Sequence, residues 1–301
     1  MINVYEQVDQ NKRRSTIIMV MFVVVVALFV WALAQVLGYG LDMVGIALIL
    51  AGLISFGSYW WSDKIILNIS GARPADRKRD FHFFTTTENL VMAARIPMPK
   101  LYVIDDSAPN AFATGRDPQH AVVCATTGLL KKLDRTELEG VVAHELSHIR
   151  NYDIRLMSIV TILVGMVTLL ADWFLRGTMY RGRGRSKQKG NLGAILFIVG
   201  IVLVLLSPLI ARLMQLALSR RREFFADASA VMLTRQPDGL ARALEKIAAD
   251  KEPLEAANKA TAHLYITNPL KNRHDKIGWF ASFFNTHPPV EERIKALREM
   301  V

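Results

Sequence analysis

Four stretches of the chain are almost purely apolar, and between them apolar and charged residues alternate as in a water-facing domain. Residues 17–37 contain one polar side chain, Gln35, and residues 43–61 contain no charge. A helix needs about 20 apolar residues to cross a bilayer, so both stretches are predicted to span one. Only Gly38, Tyr39, Gly40, Leu41 and Asp42 separate them, which predicts a tight helical hairpin. The first stretch exceeds the apolar segment of a cleaved leader, shows no small-residue cleavage site and is followed at once by a second span. It reads as a retained anchor. Residues 156–171 and 192–211 are also uncharged, the latter containing Pro208, which membrane helices tolerate. They predict a second hydrophobic hairpin that either spans the bilayer or only dips into it.

The expected organisation follows. Residues 1–61 form an N-terminal anchor with two transmembrane helices. Residues 62–155 and 219–301 together form one polar α+β domain, and the segment 156–218 interrupts it. The expected fold is that of a mainly α membrane protein with a small sheet, its short strands near residues 101–104, 110–113 and 121–124.

Composition sharpens this picture at three points. Of the 301 residues 51 % are hydrophobic and 21 % charged, which excludes a disordered chain. Cys124 is the single cysteine, which excludes a disulfide scaffold; in its apolar strand it is expected to pack and not to act as a nucleophile. Of the net charge of +10, +6 sits in the loop 176–190 and much of the rest flanks the spans. Lys12, Arg13 and Arg14 precede the first, and Lys64, Arg73, Arg77, Lys78 and Arg79 follow the second, so both flanks are predicted to be cytoplasmic. The loop 176–190, with Arg176, Arg181, Arg183, Arg185, Lys187 and Lys189 at or beside it, stays inside if the second hairpin only dips. Its Gly, Arg and Lys composition reads as a loop, and no specific nucleic-acid partner is expected.

The chemistry is concentrated in His144-Glu145-Leu146-Ser147-His148, an H-E-x-x-H pattern. On a helix, positions i and i+4 share a face, so both imidazoles can ligate one ion, while Glu145 can hold the attacking water as general base. A helix here is supported by Asp134 and Glu137, spaced as a capping box, and by Leu133 and Leu138, spaced as a hydrophobic staple. Such a site needs a third protein ligand. Glu223 and Asp227 are again i and i+4: Glu223 as ligand, Asp227 as acceptor for the ring N–H of a ligand histidine. The bland alternative for Glu223 is a salt bridge to Arg220, Arg221 or Arg222 on a solvated face. His82, His120, His263 and His274 lack a partner at metal spacing and are assigned to surface or core.

Over essentially its whole length the sequence resembles the HtpX-type membrane-bound zinc metalloproteases, relatives of the CAAX prenyl endopeptidases. The resemblance is carried by the N-terminal hydrophobic hairpin, Asn110-Ala111-Phe112-Ala113, the HELSH helix, Ser219-Arg220-Arg221-Arg222-Glu223 with Asp227, and Thr286-His287-Pro288-Pro289. It implies a gluzincin-like domain binding one Zn2+ per subunit through His144, His148 and Glu223, with Glu145 as catalytic base. It also implies quality control of misfolded membrane proteins under stress, in the inner membrane. In similar enzymes the edge formed by Asn110, Ala111, Phe112 and Ala113 holds the substrate backbone extended, by strand addition; the alternative is an ordinary turn and buried strand. His287 reads either as an oxyanion donor or as a residue ahead of a helix opened by Pro288 and Pro289.

The ligand positions constrain topology. His144 and His148 precede the second hairpin and Glu223 follows it, so the chain between them crosses the bilayer twice or not at all. Short connections place the site near the cytoplasmic membrane surface. The expected function is membrane-bound zinc endopeptidase; the alternative is a non-catalytic membrane zinc protein, a transporter or scaffold. A transporter would carry ionisable residues within its spans, and a scaffold would not need Glu145.

Overall fold

A computed structural model describes residues 4–36, 61–162, 220–250, 252–257, 261, 264–267 and 288–300, with scattered positions between 45 and 60 and residue 165. The stretches 43–61, 156–171 and 192–211 therefore fall wholly or partly outside the described residues. The basic loop 176–190 and His287 lie entirely outside them. Among the described residues no helix is long and apolar enough to cross a membrane. The first helix, α1 (Val4–Val36), runs unbroken for 33 residues and carries nearly all of the stretch 17–37.

The polar domain is α-rich with one small mixed sheet. After α2 (Ser62–Ile69) come β1 (Arg73–Pro74), α3 (Phe81–Ala94), β2 (Lys100–Ile104), β3 (Ala111–Gly115) and β4 (Ala121–Thr126). Then follow α4 (Thr127–Lys132), α5 (Arg135–Arg150), α6 (Arg220–Thr234), α7 (Pro237–Ala249) and α8 (Val290–Arg298). The strand order is β1-β2-β4-β3, with β2 parallel to β4 and the other pairs antiparallel. Strand β3 is thus an edge. Every residue of β3 and β4 is buried, which explains why their sequences read as continuous small and apolar runs without strict alternation.

Helix α5 is the centre of the domain. Its start is fixed by the box the sequence predicts: the Asp134 carboxylate accepts from Glu137 N–H at 2.9 Å, and Glu137 accepts from Asp134 N–H at 2.9 Å. Leu133 and Leu138 are both buried in the same core cluster. Leu138, Val141, Val142, Ala143, Leu146 and Ile149 are all buried, so α5 is apolar around most of its circumference, as a helix enclosed by neighbours must be. Those neighbours are α3, α6, α7 and β3. Gly140 permits the closest approach: a Cβ there would lie 2.8 Å from the backbone of Leu240 on α7. Any side chain at Gly140 would push the two helices apart and tilt the residues that follow, which include both histidines.

Candidate active site

His144, Glu145 and His148 occupy the second half of α5, and Glu223 and Asp227 the first half of α6, facing them across a close helix contact. All five are buried. The two imidazole Nε2 atoms lie 3.2 Å apart, with the rings at 89° to each other. Glu223 places Oε2 3.7 Å from His144 Nε2 and Oε1 3.8 Å from His148 Nε2. One donor atom from each of the three residues lies within 4.8 Å of the others, and no other such group of His, Cys, Asp or Glu occurs among the described residues. Ligands held at 2.0–2.1 Å from a tetrahedral ion are about 3.4 Å apart, so two imidazoles and a carboxylate at these separations fit a divalent zinc-sized ion.

The outer nitrogens of both rings are occupied. His144 Nδ1 lies 2.8 Å from Asp227 Oδ1, and His148 Nδ1 lies 3.1 Å from Asp153 Oδ2. When neutral, a ring that donates through Nδ1 to a carboxylate carries its lone pair on Nε2, the atom turned toward the cluster. Asp227 is where the spacing of α6 puts it. Asp153 was not anticipated, because it lies beyond the end of α5; its one sequence signal is an acidic residue five positions after the second histidine.

Arg293 is the other residue that sequence reasoning missed. It comes from α8, is fully buried, and forks onto Asp227 with Nε at 2.8 Å and Nη2 at 2.7 Å. Its Nη1 donates to Ile266 C=O at 3.1 Å and lies 3.5 Å from Glu223 Oε2. The pattern could have revealed it. Val290, Ile294 and Leu297 mark the apolar face of α8, and Arg293 falls on that face at i+3 from Val290, where a charge calls for a buried partner.

Electrostatics follow from this crowding. Burial pushes the Glu145 carboxyl up to about 7; His148 and Arg293 pull it down, Glu223 raises it further, and the Ala113 N–H donates to it. A buried carboxyl poised near neutrality can both take and return a proton. Burial would lower His148, but its bond to Asp153 and the charges of Glu223 and Glu145 carry it up to about 9. His144 is shifted down by burial and by Arg293, against Asp227. For Asp227 burial acts upward, yet Arg293 and His144 outweigh it and hold the carboxyl below its ordinary range. Cys124, buried in β4, has its thiol pushed well up by burial, the state of an inert packing residue.

Strand β3 narrows the expected substrate edge. Asn110 C=O accepts from Thr126 N–H at 2.9 Å, so alternation turns Phe112 toward β4 and leaves Ala111 and Ala113 facing outward. The Asn110 side chain is internal: Nδ2 donates to Thr267 C=O at 3.2 Å and Oδ1 accepts from Ala111 N–H at 3.1 Å. Ala111 C=O already accepts from Ile266 N–H at 3.0 Å. The Phe112 ring packs edge-on against Tyr265, centroids 5.1 Å apart. Farther along, Ser158 Oγ caps both backbone groups of Gly115. Of the four expected residues, Ala113 is the one whose outward backbone faces the Glu145 carboxylate.

The sequence pattern of Peptidase family M48 matches residues 78–301. A protein described as "Protease HtpX homolog" from Dictyoglomus turgidum is 46 % identical over 298 residues, covering 98 % of this chain and 94 % of its own. Proteins of the same description from Caldanaerobacter subterraneus subsp. tengcongensis and Tropheryma whipplei are 40 % and 41 % identical, each covering 98 % of this chain and 97 % and 98 % of their own. Among solved structures, that of S. mikatae Ste24p aligns with a TM-score of 0.48 at 18 % identity, over 91 % of this chain and 62 % of that one.

Proposed function

The chain belongs to peptidase family M48 and is a metalloendopeptidase; from that premise we propose that it is a zinc enzyme of the cytoplasmic membrane that cuts membrane proteins near the bilayer surface. The observation that supports this reading most is the convergence of His144, His148 and Glu223 on one buried point, with Glu145 beside it. These three residues would hold the ion. Zinc in such a site polarises a scissile carbonyl and acidifies a water.

The remaining work belongs to the chain. Asp227 and Asp153 keep the two imidazoles in the tautomer that offers Nε2. Glu145 takes a proton from the attacking water and passes it to the leaving amine. Substrate lies extended beside β3 with its backbone at Ala113, and the neighbouring contacts of Ala111 and Gly115 bound that opening to a short stretch of edge. Whether His287 donates to the oxyanion is separated from a packing role by kcat, which falls with KM unchanged in His287→Ala only if it donates. Cleavage of casein by the purified protein, stopped by a zinc chelator and restored by zinc, is expected. Cleavage indifferent to the chelator would refute the zinc reading.

For placement, the basic flanks and the even crossing number support two N-terminal spans with the protease domain, residues 62–155 and 219–301, on the cytoplasmic side. The segment 156–218 returns to that side, and misfolded membrane proteins under stress are the proposed substrates. Cys124 is buried, so cysteines introduced one at a time as Lys64→Cys and Glu299→Cys report alone. In intact cells an impermeant maleimide should label neither, and permeabilisation should expose both. Labelling of either from outside would overturn the orientation.

A further inference from the structure

The N-terminal helix reaches the metal site. Asn11, Ser15 and Ile18 lie at helical spacing on one face of α1 and are all buried. Ile18 shares a core cluster with Leu156, Met157 and Val160, in the helical residues 153–162 beyond α5. Lys12 Nζ sits 4.4 Å above the ring of Tyr152. Here α1 packs on the turn that ends the HExxH helix, 140 residues away in sequence. At the centre of the contact the Asn11 amide donates twice, to Asn151 C=O at 2.9 Å and to Asp153 Oδ1 at 2.7 Å. The other Asp153 oxygen is the one that meets His148 Nδ1.

We propose that Asn11 is a positioning residue of the metal site, acting through Asp153 to fix the ring orientation and tautomer of His148, and that α1 is thereby part of the catalytic centre as well as an anchor. This rests on the reading of His148 as a metal ligand. The physical case is a division of labour on one carboxylate. Asp153 stands outside the end of α5, where a free side chain samples several rotamers. Arg222 Nε lies 3.6 Å from Oδ1 and supplies charge, but it is too far for a hydrogen bond that sets an angle. Asn11 supplies the angle. Its two donations leave its carboxamide one orientation, and they hold Oδ1 so that Oδ2 faces the imidazole. Groups behind a metal-ligating histidine change metal affinity by about 10–100-fold when removed. The inference extends that role to a residue on a helix whose sequence otherwise signals only a membrane span.

The test uses the full-length protein in detergent, with zinc affinity read by competition against a fluorescent chelator and thermal unfolding of the zinc-free protein read beside it. Asn11→Ala should weaken zinc binding about 10-fold, and Asp153→Asn at least as much. If Asn11 acts through Asp153, the double variant binds zinc no more weakly than Asp153→Asn alone, because coupled residues are non-additive. Ser15→Ala, on the same buried face but with its hydroxyl bonded to a backbone carbonyl of its own helix, should leave zinc affinity at the wild-type value. Should Asn11→Ala fail to accumulate, Asn11→Ser, too short to make both donations, is expected to show the same loss. Unchanged affinity in the Asn11 variants, additive losses in the double variant, or an equal loss in Ser15→Ala would each overturn the proposal. A wild-type protein that binds no zinc, or a Glu223→Ala variant that binds it normally, would instead overturn the metal reading on which it rests.

Discussion

Glu145→Gln is expected to lower kcat for peptide cleavage by about a thousandfold, the middle of the range for a positioned general base, with zinc retained. The amide keeps the size of the carboxylate and can still accept a hydrogen bond from the Ala113 N–H, so the backbone around it has no reason to move. What is lost is the capacity to take a proton. The environment explains why the native residue can do so. Burial and the Glu223 charge raise its pKa to about 7, and His148, Arg293 and the Ala113 N–H stop it from rising further. A carboxylate at its ordinary value would be a weaker base; one left to burial alone would be protonated under working conditions. Because the substitution removes a step and not a binding contact, KM should hold within about twofold while kcat falls. A variant that cleaves casein at the native rate would show that another group activates the water.

Arg293→Ala is expected to cost about 3–5 kcal/mol of stability, because it leaves Asp227 buried without its forked partner and removes one cation from beside Glu223. For a domain whose total stability is typically 5–15 kcal/mol, that loss is a large share of the whole. It should appear as a drop in Tm of the zinc-free protein. Arg293→Lys keeps the charge but not the planar fork, so the two parallel N–H bonds onto the Asp227 carboxylate are lost. It should fall between the wild type and the alanine variant. Zinc should rescue part of both losses, since an ion at the three-residue cluster supplies positive charge beside the same carboxylates. An alanine variant that melts with the native protein would mean that Asp227 is held by His144 alone.

Which parts of this were legible in the sequence depends on the range of the contact. The α5 start was readable because Asp134 and Glu137 cap one another across a single turn. The meeting of His144, His148 and Glu223 in a group that could hold a metal was readable because each helix contributes its residues at i and i+4, and a three-residue ligand set would need the two helices to meet. Asp153 and Arg293 left weaker traces, one just past a helix end and the other a charge on an apolar stripe. Asn11 left none. Its amide is an ordinary polar residue before a hydrophobic run, and its role depends on a partner 142 residues away that no periodicity encodes. The strand edge shows a further limit. Alternation predicts that neighbours in β3 face opposite ways, but the register with β4 decides which ones face outward, and only the fold places Ile266 against Ala111.

The central claim is that one zinc ion is held by His144, His148 and Glu223. Zinc K-edge X-ray absorption on the purified, catalytically silenced Glu145→Gln protein tests it most directly. The account predicts one zinc per chain with only nitrogen and oxygen neighbours at about 2.0–2.1 Å, the scattering signature of two imidazoles, and loss of this spectrum in Glu223→Ala. A sulfur neighbour, a single imidazole, or a spectrum unchanged in Glu223→Ala would contradict it.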